Sequence, residues 1–462
     1  MKYVDNDNAV EPDLRSRSVS VLAQAAAFWR SHPEMAIFAI AMAVRVAFIL
    51  AHGANAEPLK WGDDTEYDGI ATRLATKHEY VNRWYPPGYP LFLTLFYVIF
   101  GRVLVSVRLA QSALGAATCV LTYRLGAKSF GETVGRIAGA LLAVYPGHVY
   151  MSWRIMAETL FIFLLMLALD RAIRMAGQPT LRDALELGLI VGLGQLVKSN
   201  LYVLPALLVA WCALLLPVPP WRRFKLALGL AVSLLLLSLL TPVANFLSAR
   251  DHMAPLPGNA GRTLWSANNP LANGYFIFAE KEPAGQFFIY THGFEDRMLM
   301  ADEFEKDRLF GRLAILWIRE NPARFLTLSF KKLNNAFGLF PHAVTLEGSR
   351  ATQAVHFFSY GLIAPLALAG MLVTRRRWRF LSTLYLTLLS YTLMVVIFYG
   401  TPRFTVIVMP ILIVFASCAL QICARQLSRI LPLSNPPQFE IRRMRIAKHA
   451  IQFWPNTRSS SE

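Results

Sequence analysis

Two adjacent carboxylates, Asp63 and Asp64, open a polar and aromatic stretch over residues 61–90. A carboxylate can act as a general base that takes a proton from an attacking hydroxyl. The stretch lies between apolar runs, so the pair is expected at a membrane surface. Acidic residues also suit the first turn of a helix, where they interact favourably with the helix dipole. From the residue types alone, catalysis and a helix start explain the pair equally well.

The rest of the chain has the composition of an integral membrane protein. Of its 462 residues, 55% are hydrophobic and 16% are charged, and the mean hydropathy is +0.40. Apolar runs of about 20 residues recur, long enough to cross a hydrocarbon core as helices. The net charge of +17 does not indicate nucleic-acid binding, because Lys and Arg gather in short connections between these runs. The four cysteines lie in or beside such runs and indicate no disulfide framework.

The distribution of basic residues predicts the topology. Placing every strongly basic connection in the cytoplasm gives an all-α polytopic protein with about ten transmembrane helices and both ends inside. The predicted segments are a cytoplasmic lead-in (residues 1–34), a transmembrane core (35–247) with a first outer loop (53–100), an external region (248–353), the final transmembrane helices (354–423) and a basic cytoplasmic tail (424–462).

Two features of the amino-terminal segment need a structural explanation. Residues 86–100 form an apolar run of only about 15 residues, which is short for an independent crossing. We expect a juxtamembrane or re-entrant helix there; if the run crosses instead, the sidedness of everything after it inverts. Arg45 interrupts the first span, and unless it snorkels it must face other helices or water, because a charge in contact with lipid is costly.

Under this topology, the polar residues that could bind a substrate fall on one side of the membrane. They are the acids Asp63, Asp64 and Glu158, the bases Arg83, Lys198 and Arg403, the phenols Tyr67 and Tyr85, and the amides Asn268 and Asn269. Glu158 is equally consistent with a scaffold role in which Arg154 or Lys198 is its partner. No cluster of His, Cys, Asp and Glu has the spacing of a metal site, so no metal is predicted. A divalent cation shared by carboxylates and a substrate phosphate stays open.

Five short motifs occur in order along the chain. They are D-D-T-E-Y at residues 63–67, Y-P-P-G-Y-P at 85–90, A-E-T-L-F at 157–161, N-N-P at 268–270 and P-R-F-T-V-I-V-M-P at 402–410. In this order and spacing, the sequence resembles the glycosyltransferase C superfamily, in particular the bacterial branch of aminoarabinose transferases and protein O-mannosyltransferases. Each motif is loose by itself, so the ordered combination carries the resemblance.

The resemblance implies transfer of a sugar from a polyprenyl-phosphate carrier to an acceptor, with inversion and without a nucleotide sugar. The acceptor would be a lipopolysaccharide component, another envelope glycan or a protein, reached from the periplasmic face of a bacterial inner membrane. Asp63 stands at the position of the catalytic aspartate, and Asp64 replaces the usual glutamate. An acidic and then a basic residue are expected before the Pro-Pro pair, but Trp84 and Tyr85 stand there, with Arg83 as the candidate replacement.

The chemistry of a lipid phosphate independently favours such a site. This leaving group departs already ionised, so it needs no protonating acid, unlike the leaving alcohol in glycoside hydrolysis. One carboxylate can then suffice as the general base. Cations must stabilise the charge that grows on the phosphate. Arg403 is the first choice, since a guanidinium can bind phosphate oxygens bidentately, and Arg83 and Lys198 are the second choices.

The sequence is also compatible with other functions. A lipid-linked-sugar flippase or transporter would want charged residues along a path through the membrane midplane, but the spans carry few beyond Arg45. An oligosaccharide ligase or polymerase would share the donor and would rely on a large external loop rich in Arg and His. A non-catalytic envelope scaffold is the weakest alternative.

Overall fold

The structure, a computed structural model, describes residues 24, 27–58, 62–80, 85–198, 201, 203–240, 259–339 and 350–430. Throughout these ranges the chain forms helices and turns, with no β-strand. Helices satisfy their own backbone hydrogen bonds, which an apolar chain in lipid requires. The predicted all-α fold is confirmed.

The helices of the amino-terminal half are α1 (Pro33–His52), α2 (Asp63–Lys77), α3 (Gly88–Phe100), α4 (Leu104–Phe130), α5 (Glu132–Val144), α6 (Pro146–Trp153), α7 (Glu158–Gly177), α8 (Leu181–Val197), α9 (Leu204–Leu215) and α10 (Pro220–Ser238). Those of the other half are α11 (Ala260–Ala267), α12 (Pro283–Thr291), α13 (Glu295–Met300), α14 (Glu303–Glu320), α15 (Pro322–Phe337), α16 (Arg350–Thr374), α17 (Ser382–Ile397), α18 (Pro402–Thr405) and α19 (Met409–Ile430). Proline opens several of them, where its missing N–H costs no hydrogen bond.

Four helical segments in the described ranges are long and apolar enough to cross a membrane. They are Pro33–His52, Leu104–Phe130, Gln353–Arg377 and Met409–Arg429. Shorter apolar helices lie at Gly88–Phe100, Leu204–Leu215 and Ser382–Ile397. By length and composition, the described helices therefore include four of the roughly ten predicted spans, and the other spans remain predictions.

The difference has local causes. The apolar run over residues 134–150 is divided by Pro146, which follows the end of α5 and begins α6. Helix α7 has the length of a span, but it also carries Asp170, Arg171 and Arg174. Residues 88–100 form a helix of 13 residues, in keeping with the short helix predicted for the first outer loop.

Helix α4 lies at the centre of the amino-terminal half and packs against α1, α5 and α7. In the other half, α16 packs against α19, which also contacts α4 and α5. One continuous apolar core joins these helices. A second apolar cluster, around Trp265, Phe310 and Trp317, lies in the region predicted to be external. The first core includes Tyr67 and also Val197 and Phe404, which are the neighbours of Lys198 and Arg403 in the chain.

Arg45 is buried within α1 and faces other helices, as expected for a charge in a span. Its guanidinium hydrogen bonds to Ser152 Oγ at 3.2 Å, to the Ala143 carbonyl at 3.3 Å and to His148 Nδ1 at 3.3 Å. These neutral partners tie α1 to α5 and α6. Arg45 therefore stabilises the packing around the site.

Candidate active site

Four charged side chains from distant parts of the chain meet in one cluster. The Arg403 guanidinium donates from Nε to Glu158 Oε1 and from Nη2 to Asp63 Oδ2, both at 2.6 Å. The Lys198 ammonium lies 3.3 Å from Glu158 Oε1. Two acids and two bases balance, so these four side chains, named here the charge cluster, are formally neutral together.

The charge cluster is buried at one end and open at the other. The Glu158 side chain is 0% exposed and that of Lys198 is 9% exposed. At the other end, the Asp63 side chain is 33% exposed and that of Arg403 is 26% exposed. A buried carboxylate is costly unless it is paired, so Glu158 holds the two bases in place. A substrate can reach the cluster at its Asp63–Arg403 edge.

Asp63 is the first residue of α2, directly after Gly62. The chain that leads to it from α1 is held by Arg108, whose guanidinium donates to the carbonyls of Ala54 at 2.7 Å and Ala56 at 2.6 Å. The helix start predicted as one interpretation of the acidic pair is therefore observed, and it is also where Asp63 joins the charge cluster. The two interpretations do not exclude each other.

Helix ends also place the buried members of the cluster. Glu158 opens α7, and Lys198 directly follows Val197, the last residue of α8. Gly88 lies so close to this end of α8 that a Cβ atom there would stand 2.8 Å from the Leu196 carbonyl oxygen. Glycine therefore permits the Y-P-P-G segment and Lys198 to lie side by side.

Two tyrosines line the cluster next to Asp63. The Tyr85 hydroxyl donates to Asp63 Oδ1 at 3.0 Å, while Arg403 occupies Oδ2. The Tyr67 ring is buried, with its centroid 4.6 Å from that of Tyr85 and 4.8 Å from that of Tyr89. Both tyrosines predicted as site residues are thus brought to Asp63, Tyr85 by direct contact and Tyr67 as its support.

The charges around Asp63 control its ionisation. Burial by itself raises the pKa of Asp63, but the positive charges of Arg403 and Lys198, with hydrogen bonds from Arg403 and Tyr85, lower it to about 2. Burial, reinforced by the Asp63 charge, raises the pKa of the Tyr85 phenol, so this hydroxyl remains a donor. Asp63 is therefore an ionised carboxylate at neutral pH.

Asp64 has a different environment from its neighbour. It is 1% exposed, and its Oδ2 accepts from Arg154 Nε at 2.7 Å. Arg154 also donates to the Tyr150 hydroxyl at 2.7 Å. Of the two partners expected for Glu158, Lys198 pairs with it, together with Arg403, whereas Arg154 pairs with Asp64. This burial favours a structural role for Asp64, and its predicted catalytic role stays a prediction.

Replacing Asp64 with Ala is expected to lower the free energy of unfolding by about 3 kcal/mol, because it leaves the largely buried Arg154 without its counter-charge. The unfolding midpoint in detergent micelles, followed by tryptophan fluorescence, measures this loss. Glu66→Ala is the matched control, since Glu66 is exposed in the same first turn of α2. Equal midpoints for the two variants would contradict a structural ion pair.

The two amides predicted as substrate-binding residues contact other groups. Asn268 accepts from Lys332 Nζ at 2.7 Å and donates to the Ile397 carbonyl at 2.9 Å. Asn269 donates to the Trp265 carbonyl and accepts from the Leu271 amide. Both are completely buried, so their substrate contacts stay a prediction that this arrangement does not support. Arg83 lies outside the described residues.

The adjacent residues Lys331 and Lys332 lie on different faces of α15. Lys332 is completely buried, whereas Lys331 is exposed. The helical period contained the signal, because Lys332 shares a face of α15 with the buried Leu328 and Ala336. Among the described residues, no group of three or more His, Cys, Asp and Glu side chains is arranged to hold a metal ion.

Comparison with known proteins gives one family match. Residues 85–246 match the model of the dolichyl-phosphate-mannose-protein mannosyltransferase family. The matched range contains Tyr85, Glu158 and Lys198 and lies between Asp63 and Arg403 along the chain. A comparison with curated protein sequences finds no match.

Similar solved structures include the oligosaccharyltransferase AglB of Archaeoglobus fulgidus with an inhibitory peptide and a dolichol-phosphate. It is 15% identical, with a TM-score of 0.51 over 88% of this chain and 53% of AglB. The apo form of the oligosaccharyltransferase from the same organism is 14% identical, with a TM-score of 0.53 over 92% of this chain and 55% of the other. ArnT from Cupriavidus metallidurans, bound to undecaprenyl phosphate, is 14% identical over 87% of this chain and 81% of ArnT, with a TM-score of only 0.38.

This chain spans about half the length of the two archaeal structures. At such low identity, the similarity shows a shared fold and not a shared activity. The partial family match over residues 85–246 and the fold shared with the archaeal oligosaccharyltransferases agree with the resemblance carried by the five ordered motifs.

Proposed function

We propose that this protein is an inverting glycosyltransferase that moves a sugar from a polyprenyl-phosphate donor to an acceptor hydroxyl. The reaction takes place at the outer face of a bacterial inner membrane. The acceptor is a lipopolysaccharide component, another envelope glycan or a protein. The observation that carries the proposal is the charge cluster, in which one partly exposed carboxylate, Asp63, contacts Arg403 and also feels the positive charge of Lys198.

Asp63 acts as the general base. It takes the proton of the acceptor hydroxyl while that oxygen attacks the anomeric carbon of the donor sugar. The bond between this carbon and the phosphate oxygen breaks on the opposite face, and the lipid phosphate leaves with the bonding electrons. The configuration at the anomeric carbon inverts, and no protein acid is needed because the leaving phosphate is already ionised.

Arg403, at the open edge of the cluster, binds the donor phosphate, and Lys198 adds positive charge from the buried end. Because Arg403 already contacts Asp63, a phosphate that draws the guanidinium toward itself removes the strongest positive partner of the base. The pKa of Asp63 then rises toward its ordinary value, and the carboxylate becomes a stronger base. Glu158 keeps both cations at the site during this exchange. Donor binding thus activates the base for the acceptor.

The relatives support this choice of donor. The archaeal oligosaccharyltransferase of similar fold was solved with a dolichol-phosphate, and the matching family is described as using a dolichyl-phosphate-linked sugar. Both lipids are polyprenyl phosphates in the broad chemical sense. The fold and the family match therefore favour a lipid-linked donor over a nucleotide sugar.

The pH dependence of transfer should separate the free enzyme from the donor complex. The kcat/KM for the donor reports the free enzyme. It should stay level as the pH falls from 7 to about 4, because Asp63, with its pKa of about 2, remains ionised. The kcat reports the donor complex, where Asp63 has lost part of its contact with Arg403, so its acid limb should lie at higher pH. An acid limb of kcat/KM near pH 6, with the enzyme recovering fully at pH 7, would contradict the assignment.

Transfer in proteoliposomes with a panel of polyprenyl-phosphate sugars tests the proposal. The expected result is a glycosylated acceptor and release of the lipid phosphate by the wild type. Movement of the lipid-linked sugar across the bilayer without a new glycosidic bond would instead identify a flippase. Transfer of preassembled glycans only, from a lipid diphosphate, would identify an oligosaccharide ligase or polymerase.

A further inference from the structure

Arg403 lies in the very short helix α18, which follows a short connection from the end of α17. Residues 398–401 link the end of α17 at Ile397 to the start of α18 at Pro402, and Arg403 is the second residue of α18. So short a helix cannot hold its own position, because a helix gains stability only with length and packing. The position of Arg403 therefore depends on what holds the connection at each end.

Helix α15 contacts the chain on both sides of this connection, at the end of α17 before it and at the end of α18 after it. At the first end, Lys332 Nζ donates to the carbonyls of Val396 at 3.1 Å and Ile397 at 3.3 Å. At the second end, Thr405 Oγ1 donates to the Ala336 carbonyl at 2.6 Å. Lys332 and Ala336 are one helical turn apart on the buried face of α15. One rigid element thus fixes the entry and the exit of the segment that carries Arg403.

The contacts of Lys332 suit a buried ammonium. Its third acceptor is Asn268 Oδ1 at 2.7 Å, so every N–H of the protonated amine has an acceptor, which offsets the burial that lowers the pKa of Lys332 to about 7. The carbonyls of Val396 and Ile397 belong to the last turn of α17, where backbone acceptors lack partners within the helix. A positive charge there is also favoured by the helix dipole. Asn268 strengthens the contact by donating to the same Ile397 carbonyl.

The middle of the connection also packs tightly on α15. A Cβ atom at Gly400 would lie 1.9 Å from the Lys332 carbonyl oxygen, which is shorter than any non-bonded contact allows. The connection can therefore approach the helix this closely only because residue 400 is glycine. A displacement of Lys332 would be passed directly to the residues before Arg403.

We propose that Lys332 is a positioning residue for Arg403, through which the region predicted to be external holds the phosphate-binding guanidinium in place. The proposal rests on the function proposed above, since it needs Arg403 to bind the donor. Lys332 itself does not contact the substrate. This positioning role also explains why Asn268, which was predicted to bind the substrate, instead contacts Lys332 and the end of α17 next to the connection that leads to Arg403.

Replacing Lys332 with Met removes the donors but keeps most of the volume of the side chain. We expect kcat/KM for the donor to fall about 100-fold, because a small displacement of a catalytic group has effects of this order. The donor KM should rise, and the acceptor KM should stay the same. Lys331→Met is the matched control on the exposed face of α15 and should behave like the wild type.

A double-mutant cycle separates positioning from a general loss of folded protein. If Lys332 acts through Arg403, adding Lys332→Met to Arg403→Ala should change kcat/KM by less than about twofold. A drop of similar size in both backgrounds would overturn the proposal, and so would a lower kcat at an unchanged donor KM. Thr405→Val, which removes the contact at the other end of the connection, should raise the donor KM in the same way and serves if Lys332→Met does not fold.

The two proposals fail in different ways. Absence of any transfer by the wild type would refute the proposed function before the variants are compared. An active wild type with an unaffected Lys332→Met variant would refute only the positioning role. Binding of the polyprenyl phosphate itself gives a readout without turnover, and its affinity should fall in Lys332→Met and remain unchanged in Lys331→Met.

Discussion

Replacing Asp63 with Asn should reduce kcat by about 10²- to 10⁴-fold, which is the usual contribution of a general base. Asn keeps the size of the side chain and can still accept a hydrogen bond from Tyr85, but it cannot take a proton from the acceptor. The donor should bind at least as well as to the wild type, because Arg403 loses an anionic competitor for the phosphate. Initial rates with a saturating polyprenyl-phosphate sugar, together with donor binding, measure both effects.

Glu66→Gln is the control for this substitution. Glu66 is an exposed acid in the same first turn of α2, so its loss changes the local charge equally without touching the charge cluster. We expect this variant to keep the wild-type rate. Full activity in Asp63→Asn would show that the general base is another group, and equal losses in both variants would indicate an effect of charge alone.

Replacing Arg403 with Ala should raise the donor KM and lower kcat by about 10²- to 10³-fold, as found when a fixed donor to a developing anion is removed. Arg403 is expected to contribute in both states, because the phosphate carries charge before the reaction and gains more as it leaves. Arg403→Lys should be intermediate at best, since an ammonium keeps the charge but cannot contact Asp63 and Glu158 through two nitrogens at once.

Two observations make the Arg403 experiment decisive. Arg73→Lys, at an exposed position in α2, is a control for replacing any arginine on this part of the surface and should have no effect. Glu158 retains Lys198 as a partner in Arg403→Ala, so the buried carboxylate is not left unpaired and the fold should survive. An unchanged donor affinity in Arg403→Ala would remove Arg403 from the phosphate site.

The membrane character of the chain and its helical class follow from composition. A chain that is 55% hydrophobic, with repeated apolar runs, can satisfy its backbone in lipid only by forming helices or a closed barrel, and the alternating pattern of a barrel is absent. The number of long spans was less predictable. A hydropathy window cannot see that Pro146 divides one apolar run into α5 and α6.

The candidate site, too, could be predicted from the sequence only in part. Local sequence, read with the ordered motifs, was sufficient to select Asp63, Glu158, Lys198 and Arg403, because each lies at the end of an apolar run, where the sequence pattern marks the start or end of a helix. It did not reveal which charge pairs with which. Arg154 is close in sequence to Glu158, yet it reaches Asp64, and Arg403 reaches Glu158 from the far end of the chain.

By itself, the sequence therefore determined the residue types available for chemistry, the helix ends that carry them and a resemblance to one superfamily. Only the tertiary structure decided that Asp63 is partly open while Asp64 is sealed against Arg154, and that Lys332 is buried beneath the segment of Arg403. The physical reason is that pairing energies depend on distance and burial. Both are set by contacts between residues hundreds of positions apart, which no local pattern contains.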